Sequence, residues 1–207
     1  MLKADRLVIG RGGSQVAGPL SFEYPDGHSV MLCGPNGSGK STLMKTLAGL
    51  LPPLSGGFSA GGEVVMLPTH IPKVKGFSVR EFLRTSLIQS SPSGDGSERA
   101  IEEAISLLGL NALADKDISR ISDGEFQKAC IATALCRKAD VILLDEPTAF
   151  LDVDNRIMVL RTLQDLARST GATVVFSTHD IHDGAMFSDE TLSLGAFKFD
   201  RSEAFKF

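Results

Sequence analysis

The chain has 207 residues, 43% of them apolar and 22% charged, with a net charge of −4 and a pI near 5.6. This is the composition of one soluble globular domain, and its acidic balance argues against nucleic acid as the main partner. No apolar run approaches the ~18 residues of a membrane span, the opening Met-Leu-Lys-Ala-Asp-Arg is not a secretory leader, and Cys33, Cys130 and Cys136 lack metal-site spacing. A cytoplasmic protein with buried free thiols is expected.

Short apolar runs at 7–9, 20–24 and 29–33 are split by Gly12-Gly13, Gly18-Pro19 and Pro25-Asp26-Gly27. That spacing predicts antiparallel strands leading toward residue 34. The stretch Gly34-Pro35-Asn36-Gly37-Ser38-Gly39-Lys40-Ser41-Thr42 then fits G-x-x-x-x-G-K-[ST]. Its glycines let successive N–H groups turn toward one anion, and a helix beginning at Ser41 adds the positive end of its dipole. Lys40 would set an ammonium on the outer phosphates of a nucleotide, and the Ser41 hydroxyl would hold Mg²⁺. A chance glycine-rich turn is the alternative. Context favours the phosphate site: 29–33 reads as a buried strand before it, and Leu43, Met44, Leu47 and Leu50 have helical spacing after it.

Beyond that helix, Leu51-Pro52-Pro53 and Gly56-Gly57 read as chain breaks, and 63–67 as a strand ended by Pro68. From 70 to 138 the pattern is helical. Ser78 and Glu81 start a helix over 78–87, Ile101, Ala104, Ile105 and Leu108 share a face over 98–108, and a third helix covers 125–137. The Ser- and Gly-rich stretch 90–97 reads as a mobile loop, with partner binding as its alternative role. Strand signals return at 141–144, an unbroken apolar run suited to a central parallel strand, at 173–177 and, more weakly, at 191–196. Between the first two, a helix over 153–169 turns Ile157, Leu160, Leu163 and Ala167 inward. The expected fold is α/β: a P-loop NTPase core with a mostly parallel sheet, an N-terminal antiparallel β subdomain and an inserted α-helical subdomain. Residues 1–207 form one domain in this reading, with the core in 1–69 and 139–207 and the helical subdomain in 70–138.

Parallel strands place their C-termini at the ligand crevice. Asp145 and Glu146 follow the 141–144 strand, so Asp145 can reach Mg²⁺ through water while Glu146 orients or deprotonates an attacking water. A pair of solvated acids is the plain alternative. Ser122-Asp123-Gly124-Glu125 reads as a capping box, and a capped helix start is also an anion site. His179 follows the 173–177 strand and would lie at the same rim, where a histidine is either structural or functional.

These motifs together resemble those of ABC ATPases. The stretch 34–42 resembles their Walker A, 141–147 their Walker B with Glu146 as catalytic glutamate, and Ser122-Asp123-Gly124-Glu125 their signature motif. Ala149-Phe150-Leu151-Asp152 resembles the D-loop and His179 the switch histidine; the family's order is kept over nearly the whole chain. The wording from Ile121 to Lys128, with Val79-Arg80-Glu81-Phe82, is similar to the ATPases of bacterial iron–siderophore, haem or cobalamin importers. The resemblance implies ATP and Mg²⁺ as ligands, no nucleic acid, and a place on the inner face of the cell membrane. It also implies permease subunits as partners and, through them, an extracytoplasmic binding protein. A head-to-tail homodimer would sandwich two ATP molecules between Gly34, Asn36, Gly37, Ser38, Gly39, Lys40, Ser41 and Thr42 of one chain and Ser122 and Gly124 of the other. Asp152 joins the nucleotide site, while Glu146, His179 and Lys40 supply the catalytic groups. A soluble assembly or scaffold factor of the iron–sulfur biogenesis type, or a poorly hydrolysing nucleotide sensor, are the alternative functions.

Three departures from the family pattern stand out. Thr69, followed by His70, stands where a glutamine usually contacts Mg²⁺; its shorter arm would act through a water, so Ser41, Asp145 and Thr69 form the expected metal set. Arg11 holds the place of an adenine-stacking aromatic, and a guanidinium either stacks on the base or stands as a solvated charge. Asp123 and Glu125 replace glycine and glutamine in the signature. Their negative charge should cost phosphate affinity unless the carboxylates turn away, which the capping box would do for Glu125.

Overall fold

The computed structural model describes residues 1–69, 71–87 and 95–195. β1 (Leu2–Arg11) buries Leu2, Ala4, Leu7 and Ile9 and exposes Lys3 and Arg11, the alternation of a half-covered strand. Two consecutive exposed residues, Asp5 and Arg6, would reverse that alternation. A bulge at Arg6, which takes φ 46°, absorbs the extra residue. β2 (Ser14–Tyr24) pairs antiparallel with β1.

β3 (Ser29–Cys33) departs from the expected antiparallel pairing: both its neighbours run parallel to it. All five of its residues are buried, and a strand apolar on both faces needs cover on both, which a central parallel position supplies. α1 (Lys40–Leu47) follows and buries Leu43, Met44 and Leu47. The expected break at Gly56-Gly57 is instead β4 (Ser55–Ala60), antiparallel to the free side of β1. Gly56 sits opposite the bulge at φ 71°, where a Cβ would come 2.1 Å from the Arg6 carbonyl oxygen. Glycine there permits close strand approach rather than ending the strand.

β5 (Val64–Leu67) precedes the helices α2 (Val79–Leu87), α3 (Asp95–Leu107) and α4 (Asp123–Cys136). Of the predicted loop 90–97, residues 90–94 lie outside the described residues and 95–97 already belong to α3. β6 (Val141–Leu144), α5 (Val153–Thr170), β7 (Thr173–Ser177), α6 (Ile181–Met186) and β8 (Glu190–Ser193) complete the chain. The short α6 carried no clear periodic signal. The five-stranded parallel sheet has the order β5-β6-β7-β3-β8, and the three-stranded sheet the order β2-β1-β4.

The described residues divide into two compact units, the first from 1–69, 140–149 and 160–195, the second from 71–87, 95–139 and 150–159. In the first, Leu7 and Ile9 of the antiparallel sheet, Leu43 and Met44 of α1, and Leu32, Leu143 and Val175 of the parallel sheet form one core. Each such side chain contributes about 1.5–3 kcal/mol by leaving water. In the second, α2, α3 and α4 share a smaller core that includes Leu83, Ile101, Ile105 and Ala129, all fully buried. Burial pushes the Cys130 and Cys136 thiols of this unit up to about 12, so they remain protonated hydrophobes. All three cysteines are free and buried.

Candidate functional site

Three strands that lie side by side, β6, β7 and β3, end on one edge of the parallel sheet. The phosphate-type loop leaves β3 at Gly34. A Cβ on that residue would stand 2.7 Å from the Leu194 carbonyl oxygen and 2.7 Å from Ser38 Oγ, so only glycine allows the turn. Gly39 opens α1 at φ 102° with no side-chain cap, leaving the leading N–H groups of the helix to an outside acceptor. Lys40 is 6% exposed. Its Nζ donates to the carbonyl oxygens of Gly34 at 2.8 Å and Pro35 at 3.3 Å, which folds the ammonium over the loop. Asn36, Gly37 and Ser41 are exposed and Thr42 is half-buried. Ser38 Oγ is buried without a protein partner, an unspent hydroxyl inside an uncapped cradle, and this fits a phosphate oxygen.

At the end of β6, Asp145 is 9% exposed and accepts a hydrogen bond from Ser177 Oγ at 2.9 Å. The same Ser177 Oγ accepts from the Glu146 backbone N–H, also at 2.9 Å. Ser177 thus ties both acids to the last residue of β7. Glu146 adopts φ 54°, a left-handed conformation costly for a non-glycine residue and held here by its surroundings. The turn sends its side chain to His179, whose Nε2 lies 2.6 Å from Glu146 Oε1. Sequence reasoning did not single out Ser177; its only signal is its place at the end of a buried strand, two residues before His179.

The Ser41 hydroxyl and the Asp145 carboxylate are hard oxygen donors. No cluster of three or more His, Cys, Asp or Glu occurs among the described residues. A donor set this sparse fits a magnesium ion that keeps waters and takes further oxygens from a substrate. Thr69, the third expected metal residue, is exposed just beyond β5, and His70 lies outside the described residues. Arg11 is exposed at the end of β1, with Ser14 as its antiparallel neighbour.

The signature-like turn belongs to the second unit. Ser122 caps α4: its Oγ accepts from the Glu125 N–H at 3.2 Å, and Glu125 Oε2 accepts from the Ser122 N–H at 2.8 Å. The Ser122 N–H and then its hydroxyl hold the Glu125 carboxyl below the usual carboxylate range. Gly124 is fixed by close packing, since a Cβ there would lie 2.3 Å from Asn155 Oδ1. Asp152 caps α5, accepting from the Asn155 N–H at 2.8 Å and from Asn155 Nδ2 at 2.9 Å. Asp123 faces Lys73 at 2.7 Å, a partner fifty positions away that no local pattern announces.

The chain as a whole is similar to known proteins. A family profile described as ABC transporter matches residues 17–149. The ferric enterobactin transport ATP-binding protein of Escherichia coli is 30% identical over 93% of this chain and 78% of its own length. A cobalamin import ATP-binding protein of Halobacterium salinarum is 31% identical over 91% of this chain, which spans 51% of that relative. An inward-facing metal-chelate type ABC transporter superposes with a TM-score of 0.86 at 28% identity, over 99% of this chain and 84% of its own.

Proposed function

The chain belongs to the ABC transporter family and is an ATPase, and from that premise we propose that it is the motor subunit of an importer for iron–siderophore, haem or cobalamin. The relatives that import ferric enterobactin and cobalamin support the substrate class. The observation that carries the hydrolytic reading is the Glu146–His179 contact of 2.6 Å at the strand edge where the Lys40 loop also begins.

In this reading ATP is the substrate. The glycine-turned loop of Gly34, Asn36, Gly37, Ser38 and Gly39 cradles its phosphates with backbone N–H groups, and Thr42 stands in the first turn of the helix that supports them. Lys40 leaves its own loop carbonyls for the phosphate oxygens, a stronger charge-assisted contact. Ser41 and Asp145, with Thr69, would hold Mg²⁺, which would neutralise charge on the phosphate oxygens. Glu146 orients the attacking water and takes its proton at a side-chain oxygen, while His179 keeps that carboxylate aimed. Ser177 fixes both acids to one strand end. Arg11 stacks on the base.

Two copies associate head to tail, so that Ser122 and Gly124 of one copy, with Asp152 behind them, complete the phosphate site of the other. The assembly sits on the inner face of the membrane against permease subunits and receives substrate through an extracytoplasmic binding protein. No helix among the described residues is long and apolar enough to cross a membrane.

The test is ATP turnover of the purified chain, alone and with candidate permeases in lipid vesicles. Slow turnover that a permease accelerates supports the motor. One observation favours a second reading: the exposed Thr69, with no glutamine, weakens the expected link to a permease. Normal ATP binding with turnover that no permease raises above the Glu146→Gln level would establish a nucleotide sensor instead.

A further inference from the structure

Lys73 lies between β5 and α2, and its ammonium meets three groups around one turn. It donates to the Ile121 carbonyl oxygen at 2.8 Å, faces Asp123 Oδ1 at 2.7 Å, and stands 5.5 Å from the centre of the Phe126 ring. These groups bracket Ser122: the carbonyl before it, the carboxylate after it, and a ring one helical turn on. The Lys73 side chain is 24% exposed and that of Asp123 75%, so the cation is the anchored member of the pair. Both line a concavity of about 360 Å³ together with Ser122, Phe150, Asp152 and Asn155. Asp152 already serves its own helix cap.

Asp123 stands where the family pattern has glycine. A carboxylate beside a turn that must meet a phosphate is a like-charge juxtaposition, which lowers affinity. Without Lys73 this concavity would hold two carboxylates and no cation among its lining residues. A Lys–Asp pair whose carboxylate is 75% exposed adds little to folding stability, so its value has to be sought in what the turn binds.

We propose that Lys73 is a positioning residue for ATP recognition: it neutralises Asp123 and fixes the Ile121 carbonyl, holding Ser122 ready for a phosphate group presented by a second copy of the chain. The proposal rests on the reading of Ser122 and Gly124 as nucleotide-contacting residues. Lys73 and Asp123 act as a matched pair, so removing one is harmful and removing both is tolerated.

The test uses the full chain and MgATP, with steady-state turnover as readout. Lys73→Met keeps an unbranched apolar side chain and removes the charge. It is expected to raise KM for MgATP about five- to tenfold while kcat stays within about twofold. Raised ionic strength should shrink that gap, because an unpaired exposed carboxylate is screened. Lys73→Arg should stay near wild type, and Lys73→Met with Asp123→Gly should recover KM. An unchanged KM in Lys73→Met, or a double variant as impaired as the single one, overturns the proposal. MgATP-driven association of the Glu146→Gln chain separates the two layers. If that parent does not associate, the nucleotide-sandwich reading fails; if it associates and Lys73→Met leaves the half-maximal ATP concentration unmoved, the Lys73 proposal alone fails.

Discussion

The proposed catalytic rim and the signature-like turn are built on different principles. Lys40, Asp145, Glu146 and His179 hang from the ends of β3, β6 and β7, whose residues are almost wholly buried. Their geometry is inherited from a packed core, where a displacement of one strand disturbs many neighbours. Ser122 is exposed and held by local polar contacts: one capping box, one lysine and one carbonyl. In the proposed mechanism, chemistry that needs fixed distances sits on the packed strand ends, and recognition of the second copy's phosphate sits on the exposed, locally held turn.

Substitutions should expose that contrast. The largest effect is expected from Glu146→Gln, which removes the proposed base and should lower kcat about 10²–10³-fold with ATP binding retained; rapid-quench turnover and a binding titration check both halves. Ser177→Ala comes next. It strips Asp145 and the Glu146 N–H of a shared buried partner, so a stability loss of about 1–3 kcal/mol is expected in denaturant melts. Its turnover should fall further than that loss explains, because both acids lose their anchor. A fall in stability without a fall in turnover would show that the rim is not held through Ser177.

Asp189 tests the sheet that supports the rim. Partial burial pushes its carboxyl up, but the Ser29 N–H and hydroxyl and the Arg168 guanidinium outweigh this and hold it at about 2. A folded-state value below the unfolded one of 3.8 stabilises the fold above that pH, and the contribution disappears as pH falls toward 2. Asp189→Asn should therefore cost roughly 2 kcal/mol at pH 7 and much less at pH 2–3.

Glu125→Ala removes half of the capping box. A loss of about 1 kcal/mol is expected in thermal melts at neutral pH. The Glu125 carboxyl is also depressed, so wild type and variant should converge as pH drops through the carboxylate range. Smallest of all, thiol reagents at pH 8 should leave Cys130 and Cys136 unlabelled until the chain is unfolded, since burial holds both near 12.

The rim was largely legible in the sequence because its signals are local. A glycine loop between a buried strand and a periodic helix, and acids or a histidine just past an apolar run, declare their positions within a few residues. The capping box of Ser122 and Glu125 was equally local. What escaped depends on pairing across the chain. Gly56-Gly57 reads as a break by propensity, but opposite the Arg6 bulge it permits strand β4. The run 29–33 could not reveal that its neighbours are parallel, because those neighbours lie at 173–177 and 190–193. Ser177 and Lys73 were missed for the same reason: each acts on residues more than thirty positions away.

The most direct measurement is the mass in solution of the Glu146→Gln chain with saturating MgATP, by light scattering. The head-to-tail sandwich predicts a shift from monomer to dimer that requires Mg²⁺ and ATP and is abolished by Ser122→Arg, which blocks the signature turn. A chain that binds MgATP tightly yet stays monomeric would contradict the account at its centre.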